Sequence, residues 1–159
     1  MTTDPSHSST NGLPQRLWAL PTLLLSLVGP RSHQIVLEAF GDAQTRTDYA
    51  LLAGLAEFGP LSQADLARRI GFDRSDMVAL LRDLEKRGLA DRQPDTTDRR
   101  RSSVTITPSG TRRLGELDRD AEEAHQRLLE PLSSAERRQL TSILQQLLVH
   151  HSDFSPPKP

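Results

Sequence analysis

The sequence predicts a mostly α-helical chain that carries one small β-hairpin of two or three strands. Apolar residues recur at helical spacing through most of the 159 residues, helix-capping signals punctuate those stretches, and only 89–93 and 102–107 read as strands, on either side of a polar loop. With 35% hydrophobic and 26% charged residues, the chain is lean but of globular composition, and it is long enough to bury a core without disulfide or metal staples.

Residues 1–12 (MTTDPSHSSTNG) form a polar tail, expected to be disordered, as is the proline-rich end 152–159. Between them, 13–28 and 30–40 are apolar helical segments meeting at Gly29-Pro30, as one bent helix or two abutting ones. A short helix over 48–58 is expected to be capped by Thr47 and stopped by Gly59-Pro60. Ser62 and Asp65 resemble a capping box opening a helix over 63–70, which Gly71 ends. Asp73 is the expected N-cap of a helix over 74–87, with Met77, Leu80, Leu81 and Leu84 on one stripe and Gly88 as its stop. In the second strand Val104 and Ile106 share a face, and 94–101 is the hairpin loop. Thr107-Pro108 restarts helix to about Glu130, before Pro131. Ser133 to Glu136 is a full capping box for the last helix, 135–150.

Two short helices joined by Gly71-Phe72-Asp73 and followed at once by a hairpin have the order of a winged helix-turn-helix. The face of 74–87 opposite the apolar stripe holds Ser75, Val78, Ala79, Arg82 and Lys86. Its N-terminal half is small or weakly apolar, which suits a helix lying in a DNA major groove about 12 Å wide. Val78 and Ala79 can touch thymine methyls, Ser75 a base edge or phosphate, and Arg82 guanine or the backbone. The plainer alternative is that Val78 and Ala79 are simply tolerated on a helix surface.

Total charge is uninformative, at −1 from 20 basic and 21 acidic residues, but its distribution is not. From 99 to 113 there are five arginines and no acid; from 115 to 130 there are six acids and two arginines. A near-neutral chain can therefore present a basic end, and phosphate contacts need only local positive charge. Arg99, Arg100 and Arg101 cluster at the hairpin tip, where an arginine can enter a narrow minor groove, and Asp98 is placed to orient Arg100.

Other classes find little support. With no cysteine there is no disulfide framework, zinc finger, cysteine nucleophile or thiol redox sensor. The apolar run 17–28 is shorter than the roughly 20 residues a bilayer span needs, so no membrane partner is expected. As a signal peptide it lacks a basic start, and Ser26-Leu27-Val28 is a poor cleavage site. No phosphate loop, nucleophile elbow or Ser-His-Asp set marks an enzyme, and no cofactor is expected. His150 and His151 are adjacent, a poor chelating arrangement, and no HExxH occurs, so no metal site is expected.

Residues 48–110, with Leu84-Glu85-Lys86-Arg87-Gly88-Leu89, Asp98-Arg99-Arg100 and Thr107-Pro108-Ser109-Gly110, resemble the MarR family of bacterial transcriptional regulators, and the helix order extends the resemblance to about 14–150. The resemblance implies a cytoplasmic homodimer, nucleoid-associated when on DNA, that reads a pseudo-palindromic duplex with paired recognition helices. It implies dimerisation helices in 13–44 and 109–151 around a winged domain, 45–108, with the leucine-rich stretches 17–27 and 140–148 suited to that role; ordinary core packing explains either stretch singly. By position, Ser62 and Gln63 open the helix abutting the phosphate backbone, and base and backbone contacts begin at Arg74, Ser75 and Asp76. Asp98 and Arg100 match the family's wing pair. Asp76 either caps the helix or accepts from a cytosine amine.

The resemblance further implies a repressor released by a small aromatic or phenolic effector. Trp18, Arg31, His33, Phe40 and Tyr49 are candidate lining residues, or else core and interface residues. The urate-responsive branch carries an acid after an aromatic in its second helix, where this chain has Ala50 after Tyr49. The rival from another class is a winged-helix protein-interaction or assembly module without specific DNA binding. A membrane-associated helical protein would rest on 17–28 alone.

Overall fold

The computed structural model describes residues 12–94 and 102–152. The expectations of disordered tails and of a wing carrying Asp98, Arg99, Arg100 and Arg101 fall almost wholly outside these residues. The chain divides after Gln34 into two compact units. The first contains α1 (Gln15–Trp18) and the start of α2 (Pro21–Phe40). The second contains the end of α2, then α3 (Ala43–Phe58), α4 (Gln63–Ile70), α5 (Arg74–Lys86), β1 (Ala90–Pro94), β2 (Ser102–Ile106), α6 (Pro108–Leu128) and α7 (Ser134–His151).

The predicted class is the observed one. Strands β1 and β2 pair antiparallel from Ala90 opposite Ile106 to Pro94 opposite Ser102. The third strand is a single bridge, in which the Val104 amide donates to the Leu61 carbonyl at 2.9 Å and the Leu61 amide returns at 3.3 Å. Leu51, Leu52, Leu55, Leu66, Met77, Leu81, Leu84, Val104 and Leu117 are sealed in one core that joins α3, α4, α5, β2 and α6.

Two element boundaries differ from expectation. The helical break falls before Pro21, not at Gly29-Pro30. Pro21 starts α2 with its φ already suited to a helix, and Pro30 sits inside it. Pro30 forfeits only the bond to the Ser26 carbonyl, which lies on an exposed stretch where water can replace the missing donor. Helix α3 begins at Ala43, five residues before the expected 48. Its cap is Asp42, which accepts from the Thr45 amide at 2.6 Å, whereas the Thr47 hydroxyl bonds back to the Ala43 carbonyl. Gly41, at φ +82°, supplies the left-handed residue that ends α2 just before that cap. Elsewhere the ends shift by a residue or two, as helix and strand ends fray.

The join between hairpin and α6 depends on Gly110. A Cβ there would stand 2.1 Å from the Leu89 carbonyl oxygen and 2.8 Å from Ile106, so only glycine lets α6 approach the base of the strands this closely. Thr107 caps α6 by accepting from the Gly110 amide at 3.0 Å, and its hydroxyl donates to the Gly88 carbonyl at 2.7 Å.

Candidate nucleic-acid interface

Helices α4 and α5 meet through Gly71, Phe72 and Asp73. Gly71 takes the left-handed conformation (φ +74°, ψ +28°) that turns the chain, and Asp73 then opens α5. The Asp73 carboxylate accepts from the Ser75 amide at 2.8 Å and from the Ser75 hydroxyl at 2.9 Å. These donors hold its pKa below the ordinary carboxylate range, so the cap stays ionised.

The two faces of α5 separate as the spacing requires. Met77, Leu81 and Leu84 are fully buried and Leu80 packs beside them, while Arg74, Ser75, Ala79, Arg82 and Lys86 are exposed and Val78 is half-buried. Five of the predicted readers, Ser75, Val78, Ala79, Arg82 and Lys86, thus lie on the face turned away from the core, and Arg74 is exposed as the first residue of the helix, one turn before Met77. Ser62 and Gln63 stand together at the start of α4. The Ser62 hydroxyl caps the helix, accepting from the Asp65 amide at 3.2 Å and donating to the Asp65 carboxylate at 2.7 Å, so its proton is already committed.

Of the candidate effector residues, Trp18, Arg31 and His33 lie in the first unit, and Phe40 and Tyr49 in the second. Trp18 is 64% exposed, and the Arg31 guanidinium donates to Gln34 at 3.0 Å. The Phe40 and Tyr49 rings stack at a tilt, with centroids 5.3 Å apart. Burial, reinforced by the carboxylate of Asp118, pushes the Tyr49 phenol up. A separate open concavity runs along α7 beside Gln145, Gln146 and Val149 and touches none of these five.

Two polar groups that position the interface were not singled out from the sequence. Asp48, 2% exposed within α3, accepts both Arg87 guanidinium nitrogens, at 2.6 and 2.7 Å, and an amide hydrogen of Gln44 at 3.1 Å. Arg87, which caps the end of α5, also pairs with Asp83 at 2.7 Å, and these carboxylates raise its pKa further. The C-terminal end of α5 is thereby clamped to α3. Arg92 in β1 bonds to Glu85, Gln63 and Ser102. The usable signals were periodic: Asp48 lies on the same helical stripe as Leu51 and Leu52, and Arg92 follows Ala90 on the inward face of its strand. A charge at a core position needs a partner.

Comparison with known proteins agrees with this geometry. Residues 45–101 match the model of the MarR family. A regulatory protein named for the hcr operon of Thauera aromatica is 34% identical over 105 residues, which span 66% of this chain and 63% of that protein. A crystallised chain of Pseudomonas aeruginosa, described as a transcriptional regulator, is 31% identical over 84% of this chain and all of its own, at a TM-score of 0.69. BpsR of Bordetella bronchiseptica, whose DNA binding is regulated by 6-hydroxynicotinic acid, is 25% identical over 89% of this chain and all of its own, at a TM-score of 0.74. The transcriptional repressor CouR, bound to a 23-mer DNA duplex, is 26% identical over 86% of this chain and 98% of its own, at a TM-score of 0.73.

Proposed function

The chain belongs to the MarR family of transcriptional regulators, and on that premise we propose that it binds double-stranded DNA sequence-specifically as a homodimer and represses transcription until a small aromatic acid releases it. The observation that carries the reading is the two-sidedness of α5: three fully buried apolar residues hold the helix down, and Arg74, Ser75, Ala79, Arg82 and Lys86 are presented outward. That face enters the major groove, and the basic segment at 99–101 reaches the adjacent minor groove. The similarity to CouR on its duplex supports DNA as the partner.

The homodimer reading is supported by α7, which buries none of its residues and exposes Ile143, Leu144, Leu147, Leu148 and Val149. A second copy covers that face. The aromatic-acid effector is supported by the likeness to BpsR and by the Phe40–Tyr49 ring pair. Among the described residues no helix is long and apolar enough to cross a membrane.

The test is a mobility shift, over a range of salt concentrations, on the DNA flanking the protein's own coding region, with a scrambled duplex as competitor. Specific retention is expected, and replacing Ser75 or Val78 with Ala should change base preference by about 1–3 kcal/mol for each base edge no longer read. Equal binding to both duplexes would instead fit an interaction module.

A further inference from the structure

We propose that Arg92 is a positioning residue for DNA binding: it turns Gln63 and Ser102 into hydrogen-bond donors for a backbone phosphate and locks both to the recognition helix. This rests on the DNA-binding reading above. The Arg92 Nε donates to a Glu85 carboxylate oxygen at 2.9 Å, and one terminal nitrogen donates to the Gln63 amide oxygen and to the Ser102 hydroxyl oxygen, both at 3.3 Å. Three elements meet at this one side chain: the end of α5, the first residue of α4 and the first residue of β2.

The inference follows from hydrogen-bond polarity. A guanidinium has donors only, so Gln63 must turn its oxygen toward Arg92 and its NH2 group away. Among the described residues that NH2 group has no other partner. The Ser102 oxygen likewise accepts from Arg92, which leaves its own proton to give. Both residues are half-buried and still reach solvent. Gln63 also opens α4, where unpaired helix amides favour an anion. The Arg92 charge itself is matched by Glu85, so the site offers neutral donors of fixed direction instead of a free cation. Lysine cannot replace it, because a single ammonium lacks the planar fork that holds three partners in set directions.

The test uses the full-length protein and a duplex enriched from a random-sequence library by the wild type, with affinity measured by fluorescence anisotropy at several salt concentrations. Arg92→Met should bind about tenfold more weakly, the weight of a phosphate hydrogen bond or two. The slope of affinity against salt should not change, because no phosphate-contacting charge has been removed. In a Gln63→Ala/Ser102→Ala background, Arg92→Met should change affinity less than about twofold, since it acts through those two groups. Arg92→Lys should behave like Arg92→Met, and it carries the test if the methionine variant does not fold. A tenfold loss that persists in the double-alanine background, or a slope reduced by about one, would show that Arg92 touches phosphate itself and overturn the proposal. Unchanged affinity for both Arg92 variants would also overturn it. A wild type that enriches no sequence overturns the DNA-binding reading and this inference together.

Discussion

Breaking the Asp48–Arg87 pair should destabilise the protein unequally according to which partner is removed. In Arg87→Met the Asp48 carboxylate, 2% exposed, loses its bonds at 2.6 and 2.7 Å and keeps only Gln44 at 3.1 Å. A buried charge stripped of its partner costs about 3–5 kcal/mol. The lower end applies, because the Arg87 side chain is 37% exposed and water can enter where it leaves. In Asp48→Ala the arginine is left near the surface and still holds Asp83 at 2.7 Å, so the loss is a hydrogen bond or two, about 1–2 kcal/mol. For a chain of this size 1 kcal/mol moves the melting temperature by about 2–4 °C. Arg87→Met should therefore melt about 6–12 °C below wild type, and Asp48→Ala nearer to it. Circular dichroism melts at one fixed protein concentration make the comparison, because association shifts apparent stability. Equal losses, or a larger loss for Asp48→Ala, would refute the assignment of the cost to a stranded carboxylate.

Three further outcomes can be checked. Gly110→Ala forces a methyl to within 2.1 Å of the Leu89 carbonyl oxygen, so β1 or α6 must shift; a loss of at least about 1–3 kcal/mol should appear in denaturant titration. The Leu144→Glu/Leu148→Glu double variant places charge on an apolar face that α7 leaves uncovered, and should convert the proposed dimer to monomers in analytical ultracentrifugation while leaving helical content intact. Asp42, Asp73 and Glu136 are all held below their ordinary values by amide and hydroxyl donors at helix starts. Their folded values are depressed, so their contribution is present above the unfolded values of 3.8 to 4.5 and is lost as pH falls through the folded ones. Asp73→Asn keeps a capping oxygen but cannot titrate, and should flatten the acid limb of a stability-versus-pH curve compared with wild type.

Much of this architecture could be read from short-range chemistry. The caps at Ser62, Asp73, Thr107 and Ser133, and the stops at Gly71 and Gly88, are local signals, because a helix end is satisfied by residues within a turn of it. The same holds for the outward face of α5, which follows from the 3.6-residue period once Met77, Leu81 and Leu84 face the core. Even the misplaced start of α3 had its signal, Gly41 followed by Asp42, which Thr47 obscured as an equally good capping residue.

What local chemistry could not reveal is which distant polar groups answer one another. Asp48 and Arg87 are 39 residues apart, and Arg92 and Gln63 are 29 apart. The period of α3 and β1 marks Asp48 and Arg92 as inward-facing, but it does not say which residue each one meets. Their pairing depends on α3, α4, α5 and the hairpin being brought together around one core, and that geometry is decided by packing, whose contacts span the chain and have no period along it.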